Sequence, residues 1–239
     1  FQTLSQCQNL ELMRLNRPDM RQMDGLGIAS FYPGIGFIGE FGFAFTSSGS
    51  SLTTPSRTSV AGNSVVSACA IFVATPAINV PSDSQANTWV EDREAATATI
   101  GVQIAHAHNI AGGAAHTVTI TFNTGSFATI NAFEYSGMRN QDAEATEVAA
   151  GTSTSAVSDP VTASAGSMCV AFVTHNSATS PTIDLTSADW TERAEHEASL
   201  DEMPMNFGDI ISAGASEQAT WTLGSAVPWV GIICAFLRK

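Results

Sequence analysis

The sequence predicts an all-β protein, an antiparallel two-sheet sandwich of jelly-roll-like topology that follows a partly helical, Gly/Phe-rich N-terminal arm. Three observations lead to this fold class. Charged residues make up only 13% of the 239 residues, against about 25% in an average soluble domain. Apolar and polar residues alternate with the period of two that is typical of strands. The chain also repeats one pattern of strands and turns.

The repeat is clearest around two residue types, cysteine and tryptophan. Ser67–Thr75 returns as Ser167–His175, and the segment around Trp89 returns, more loosely, around Trp190. The two matching segments are 100 residues apart, which is far too long for a solenoid, whose repeats span about 20–50 residues. The repeat therefore indicates two halves of similar architecture.

The two halves are the pseudo-repeats 62–137 and 166–239, and the same succession of strands is predicted in each. The run Val65–Ala74 is almost continuously apolar, which predicts a strand that is buried on both faces. His116–Phe122 alternates, with its valine, isoleucine and phenylalanine pointing inward. Further strands are predicted at 89–93, 97–108, 128–135, 166–175, 190–198, 203–211, 218–223 and 229–237.

Two arrangements of these halves agree with the pattern. One is two sequential sandwiches, and the other is a single sandwich to which both halves contribute strands, as in a jelly roll made of two Greek keys. We favour the single sandwich because each half has only about five predicted strands. The connection at 138–165 is long enough to cross from one sheet to the other.

Residues 1–61 are predicted to form an arm and linker ahead of the sandwich domain at 62–239. Leucines with partial helical spacing predict a helix at about 5–15. Residues 25–45 interleave glycine with aromatic side chains and are too glycine-rich for a stable isolated helix or strand. Residues 46–61 have the Ser/Thr/Gly composition of a linker.

We favour an assembly arm, an extended segment that buries its apolar side chains on a neighbouring subunit, because such a patch on a monomer promotes association. Two alternatives stay open. The segment could be an edge strand and loop that cover the core of the same chain, or a membrane-active peptide. The residues assigned to the assembly arm are Phe31, Tyr32, Ile35, Phe37, Ile38, Phe41, Phe43 and Phe45.

The net charge of −13 is concentrated in the predicted sandwich. Residues 1–61 carry four basic and four acidic side chains, whereas residues 62–239 carry five basic and eighteen acidic ones. An acidic body repels phosphate backbones, so direct binding to nucleic acid is not expected. No apolar run reaches the roughly 20 residues of a membrane-spanning helix, so a membrane partner is not expected either.

Known catalytic motifs are absent from the sequence. It contains no Gly-x-Ser-x-Gly elbow, no P-loop and no His-Glu-x-x-His motif. We therefore expect neither enzymatic activity nor a cofactor. Three cysteines lie in apolar strand-like runs, where cysteine acts as a small buried hydrophobic residue. A disulfide between Cys69 and Cys169 is the open alternative.

Three groups of side chains have a functional as well as a structural interpretation. The histidines could bind zinc if their side chains converge. Histidines that simply lie on a solvent-facing sheet surface are the commoner case. The carboxylates of the two Trp strands suit a solvated, salt-bridged face, with calcium binding or glycoside hydrolysis as alternatives. The tryptophans suit the core, with a sugar-stacking platform as the alternative. These groups are His106, His108 and His116; Glu91, Asp92, Glu94, Glu192, Glu195 and Glu197; and Trp89, Trp190, Trp221 and Trp229.

Residues 62–239 resemble a β-sandwich module of bacterial secreted proteins and of phage-type virion structural proteins. The resemblance covers about three quarters of the chain and consists of structural residues. It implies a jelly-roll-like, non-catalytic module for display, adhesion or assembly, and it brings no functional residues with it. The segments that carry it are Gly62-Asn63, Asn87–Trp89, Gly112-Gly113 before the strand at His116, Ala132–Gly137, Asp189–Arg193 and Ala226–Trp229.

Composition, repeat and resemblance together predict a non-enzymatic structural protein of a virus particle, such as a capsid decoration, fibre or tail component. Its expected partners are copies of itself and other virion proteins, with a glycan or host surface as a further partner. Its expected location is the virion. The alternative is a secreted carbohydrate-binding or adhesion module.

Overall fold

The structure is a computed structural model that describes residues 34–73, 76–123, 127–176, 182–197 and 203–239, with the side chains of 140–145 excepted. These residues form strands, turns and loops and contain no helix, which confirms the all-β prediction. All strand pairs are antiparallel. The helix predicted at about 5–15 lies outside the described residues.

The first half contributes eleven strands to the described structure. They are β1 (Gly36–Glu40), β2 (Ala44–Thr46), β3 (Ser51–Thr53), β4 (Arg57–Ser59), β5 (Ser64–Phe72), β6 (Ser82–Asp83), β7 (Trp89–Ala96), β8 (Ile100–His108), β9 (Gly113–His116), β10 (Val118–Thr121) and β11 (Phe127–Ser136).

The second half contributes eight further strands, of which the first and last are long. They are β12 (Met138–Val157), β13 (Val161–Thr162), β14 (Met168–His175), β15 (Ile183–Leu185), β16 (Thr191–His196), β17 (Met205–Ile211), β18 (Ser216–Glu217) and β19 (Thr220–Arg238).

Each half builds its own sheets. The large sheet of the first half has the order β1-β11-β5-β8-β7, with β2 also on β11, and that of the second half has the order β12-β19-β14-β17-β16, with β15 on β19. Smaller sheets are β3-β10-β6, β4-β9 and β13-β18. None of the described pairings joins the halves, so each half forms its own sheets and has a core of its own. The two large sheets, one from each half, also enclose a shared core, so the packing of two sheets that we favoured is present together with the two smaller sandwiches.

The two large sheets pack face to face, and this packing explains their apolar sequences. In β5, Val66 and Ala68 face the core between the halves, whereas Val65 and Cys69 face the core inside the first half. Strand β14 alternates in the same way between the shared core and the core of the second half. Both strands are buried along nearly their whole length, as their continuous apolar runs predict. A central strand thus supplies two cores because its side chains alternate.

Matching turns introduce the central strand of each half. Gly62 and Gly166 have φ values of +86° and +84°, a conformation that glycine adopts without a Cβ penalty, and each lies two residues before its strand. Cys69 is seven residues after the first glycine, but Cys169 is only three after the second. The cysteines that made the repeat visible are therefore not structurally equivalent. Both carry buried thiols, so the disulfide alternative is wrong.

The predicted arm and linker pair with the first sandwich from residue 36 onward. Strands β1 and β2 pair with β11, β3 pairs with β10, and β4 pairs with β9. The compact unit accordingly begins at Gly34 and ends at Lys239. The structure differs here from the boundary predicted at residue 61, because backbone pairing includes this glycine-rich segment in the sheets.

The described side chains of the predicted assembly arm divide into three groups. Ile35 and Phe41 are buried within the chain, so they are not exposed to a neighbouring subunit. Ile38 and Phe45 remain 44% and 48% exposed. The edge-strand alternative thus describes much of this segment, and docking on another subunit stays a prediction for the exposed residues. Phe37 and Phe43 pack partly buried against the shared core, and Phe31 and Tyr32 lie outside the described residues.

Candidate functional site at the interface of the two sandwiches

An aromatic stack lies between the two large sheets. Phe133 of β11 and Phe207 of β17 are both fully buried, and their rings stack with centroids 3.8 Å apart and planes 14° from parallel. Tyr135 lies on the same face of β11 and meets Phe37 edge to face at 5.7 Å. Aromatic pairs of this kind add about 0.5–1.5 kcal/mol beyond the area that they bury. The stack ties the halves together.

Both edge strands at this interface carry a β-bulge at the same place. In β7 the register shifts between Glu91 and Arg93, and in β16 it shifts between Glu192 and Ala194. The extra residues are Asp92 and Arg193. A bulge turns the side chain of its extra residue away from the regular alternation, and both side chains reach the neighbouring strand, β8 or β17, on the face between the halves.

In the second half, the bulge residue joins a network that crosses to the first half. Arg193 donates through Nε to Asp209 Oδ2 at 2.7 Å, and the Tyr135 hydroxyl donates to the same oxygen at 2.8 Å. Burial raises the pKa of Tyr135 well above its ordinary value, and the Asp209 carboxylate raises it further. The Arg193 guanidinium also lies 4.4 Å from the centre of the Phe37 ring, which is within cation–π range.

In the first half, the equivalent position holds a different pair. His106 Nδ1 lies 2.8 Å from Asp92 Oδ1, and the imidazole meets Phe236 of the second half edge to face at 5.3 Å. Burial raises the pKa of Asp92, and the hydrogen bond and charge of His106 oppose this shift. Each half therefore places one polar pair on the interface, and each pair contacts aromatic side chains of the other half.

A second pair of equivalent sites is nearly identical in the two halves. Gln103 Nε2 donates to the Ile78 carbonyl and to Glu91. Asn206 Nδ2 donates to the Ile183 carbonyl and to Glu192. A buried amide on the inner strand thus joins a main-chain carbonyl to an edge glutamate in both halves. Glu91 and Glu192 are exposed, as the predicted solvated face requires, whereas the Asp92 carboxylate of the same predicted face is buried.

A cleft of about 240 Å³ opens where the two halves meet. The first half lines it with Glu40, Phe43 and the buried Asn131, and the second half with Arg193–His196 and Met205. Phe43 stacks on His196 with ring centroids 3.5 Å apart. Asn131 donates to Glu40 at 3.4 Å. The cleft therefore combines an aromatic wall, a thioether, and both hydrogen-bond donors and acceptors.

Comparison with family models, with curated proteins and with solved structures finds no match. The site must therefore be interpreted from its own geometry.

The described residues include one Ser–His–Asp chain, which is buried. Ser59 Oγ lies 2.7 Å from His116 Nδ1, and His116 Nε2 lies 3.3 Å from Asp83 Oδ2. Burial alone would raise the pKa of Asp83, but hydrogen bonds from Asn87, Trp89 and Gln85 lower it. Ser59 is 5% exposed and His116 fully buried, so a substrate carbonyl has no approach to the hydroxyl. This chain joins strands β4, β6 and β9.

The histidines considered for zinc do not converge. His106 pairs with Asp92, His116 belongs to the buried Ser–His–Asp chain, and His108 is exposed at the end of β8. Within the described ranges, no group of three histidine, cysteine or acidic side chains is arranged to hold a metal ion. No helix within those ranges is long and apolar enough to cross a bilayer.

Three of the four tryptophans are buried, as the core interpretation predicts. Trp89, Trp221 and Trp229 are 8%, 0% and 6% exposed, and each indole N–H donates to a side chain of its own half. Trp190 packs partly buried against the core of the second half. The tryptophans therefore form no exposed sugar platform.

Sequence reasoning missed most of the cleft. Asn131, His196 and Met205 have no motif around them, and Glu195 was assigned to a solvated face. Two signals were present: the Gly/Phe-rich segment that supplies Glu40 and Phe43, and the charged run around Arg193. Neither signal reveals that two segments some 150 residues apart meet.

Proposed function

We propose that this chain is a non-enzymatic structural protein of a virus particle, which assembles with copies of itself and with other virion proteins. The observation that carries the proposal is an exposed apolar edge, defined by Ile38 of β1 and Phe45 of β2. Both strands lie at the open side of β11 in the large sheet of the first half.

The apolar edge lacks the charges that protect the other edges of the large sheets. Strand β7 contains the run Glu91–Glu94, β16 contains Glu192, Arg193 and Glu195, and β12 also carries charged residues. In β1 the only charged residue is Glu40, and β2 has none. Charged side chains discourage edge-to-edge association, and an apolar edge without them favours it. Because each side chain is only about half exposed, its burial would contribute roughly half of the 1.5–3 kcal/mol that a fully exposed side chain gives.

The buried polar groups support a structural role rather than a chemical one. The Ser–His–Asp chain is enclosed, and the amide–glutamate pairs bind main-chain carbonyls. The face-to-face packing of two sandwiches gives a stiff body that suits a particle surface. The alternative, a secreted carbohydrate-binding or adhesion module, loses the support of its tryptophan platform because three tryptophans are buried.

Sedimentation velocity of an Ile38→Thr/Phe45→Thr variant tests the proposal. We expect the wild-type chain to self-associate and the variant to sediment as a monomer, because threonine suits a strand but removes the apolar contact. Val90→Thr is the matched control, since Val90 is 48% exposed on β7 at the opposite edge of the same sheet. The control should associate like the wild type.

A wild-type chain that stays monomeric up to its solubility limit would contradict assembly through this edge. Negative-stain imaging of the native source adds an independent check. Particles that bind an antibody against this chain are the expected result, and the protein found only in soluble secreted form would support the alternative.

A further inference from the structure

We propose that the cleft between the two sandwiches is a binding site for a single sugar ring of a glycan. The site is built by Glu40, Phe43 and Asn131 of the first half and by Arg193, His196 and Met205 of the second. The cleft meets the apolar edge at Phe45, but its polar groups lie outside that edge, so the proposal goes beyond the assembly role.

The charges around the cleft exclude a simple ion site. Glu195 borders the cleft, but its carboxylate accepts a hydrogen bond from the Ile183 backbone and lies near Glu192, Asp184 and Glu197. The positive charge of Arg193 is matched by Asp209 at 2.7 Å. Glu40 and Glu195 thus leave the walls net acidic, which disfavours an anion, and among the described residues no set of three histidine, cysteine or acidic side chains is arranged to hold a metal ion.

The hydrogen-bonding groups of the cleft suit a hydroxyl-rich ligand. Glu40 offers acceptor oxygens. The Asn131 amide donates one N–H to Glu40 and accepts from the Ala132 N–H, so it offers its second N–H. The Arg193 guanidinium has terminal nitrogens beyond the Nε bond to Asp209. A hydroxyl both donates and accepts, so adjacent hydroxyls can satisfy such a mixed wall. Pure donors such as ammonium groups, and pure acceptors such as carboxylates, can satisfy only part of it.

The apolar surfaces and the size of the cleft point to the same ligand class. Phe43 and Met205 form apolar wall, and the 48% exposed Phe45 lies beside it with its ring centroid 6.0 Å from that of Phe43. An exposed ring can cover the C–H face of a sugar while the polar groups bind its hydroxyls. The volume of about 240 Å³ is below the roughly 300–1,000 Å³ of drug-sized sites, which suits one ring.

Titration of the ¹⁵N-labelled full chain with glucose, galactose, mannose and N-acetylglucosamine tests the proposal by NMR. We expect at least one sugar to shift the amides of Arg193–His196 saturably, at millimolar concentration as befits one ring with few contacts. Butylammonium and acetate serve as ionic probes and should give no saturable shift. Larger saturable shifts from either ion, or no saturable shift from any of the four sugars, would overturn the proposal.

Single substitutions test whether the sugar binds in the cleft and whether its binding is independent of self-association. Glu40→Ala should weaken sugar binding at least about threefold, as expected for loss of one hydrogen bond to a charged group, and should leave sedimentation unchanged. Glu147→Ala, at an exposed glutamate of β12 outside the cleft, should leave sugar binding unchanged. Ile38→Thr should weaken association without affecting sugar binding. Equal loss in the two glutamate variants would overturn the cleft as the site.

Discussion

The two halves of the molecule place different chemistry at the same position of their shared interface. The first half joins His106 to Asp92, and the second joins Asp209 to Arg193. In both, the bulge residue of an edge strand reaches the inner strand, and the inner residue then contacts an aromatic side chain of the other half. The acidic residue is thus on the edge strand in the first half and on the inner strand in the second half, and the basic residue takes the other position.

The difference shows which features the scaffold needs and which it tolerates. The bulge, the polar pair and the contact across the interface occur in both halves, whereas the residue types vary. The amide–glutamate pairs vary far less, because Gln103 and Asn206 must each satisfy a specific main-chain carbonyl. A buried carbonyl without a donor costs about 1–3 kcal/mol, and this penalty limits the alternatives.

The largest expected effect comes from the aromatic stack that unites the halves. Phe133→Ala should lower the free energy of unfolding by about 3–5 kcal/mol, because it removes a buried ring and leaves a cavity. Since the ring packs on Phe207 of the other half, calorimetry should show one cooperative transition at lower temperature. The Phe133→Ala/Phe207→Ala double variant should lose less than the sum of the single losses.

Phe122→Ala is the matched control for the stack, since Phe122 lies in the core of the first half alone. In a double-mutant cycle, the losses of unfolding free energy from Phe122→Ala and Phe207→Ala should add, because the two side chains belong to different cores. Two separate transitions for the wild type would show that the halves unfold independently, contrary to this account.

The two polar pairs should differ in strength. Asp209→Asn should cost about 2–3 kcal/mol, because Arg193 and the Tyr135 hydroxyl both lose a charged acceptor at a buried position. Asp92→Asn should cost about 1 kcal/mol, because the His106 imidazole, unlike the Arg193 guanidinium, does not carry a permanent charge that the carboxylate must balance. Urea unfolding of both variants measures the difference, and an equal or reversed order would contradict it.

The smallest expected effect is a difference in pH dependence between two carboxylates of the first half. The pKa of Asp83 is lowered by its hydrogen bonds, so its stabilising contribution is full above the unfolded pKa of about 3.9 and is lost as the pH falls through the folded value. The pKa of Asp92 is raised, first by burial. This carboxyl therefore lowers stability as the pH rises from about 3.9 through its raised folded value.

Unfolding measured from pH 3 to pH 7 separates the two carboxylates. Relative to wild type, Asp83→Asn should become less stable as the pH rises, and Asp92→Asn should become more stable. Parallel pH profiles for the two variants would show that the opposed pKa shifts do not govern stability here.

The sequence by itself determined the repeat and most of the strands, but not β12, which lies in the segment 138–165 that we predicted to be a connection. Period-two alternation and the continuous apolar runs of β5 and β14 follow from the pleat, because a strand exposes successive side chains to opposite faces. Those runs correctly predicted burial on both faces. The alternation also placed the tryptophans mainly in the core. Burial of an indole is tolerated there because its N–H needs only one hydrogen-bond partner.

Only the tertiary structure decided how the halves combine. The pattern of one strand does not record which neighbour supplies its hydrogen bonds, so two separate sandwiches and one shared sandwich predict the same alternation. The glycine-rich segment from Gly34 onward joined the first sandwich because backbone pairing with β11 needs no side-chain signal. The cleft depends on this pairing, since it brings Glu40 to Arg193 across the interface, and contacts between such distant segments arise only when the sheets pack.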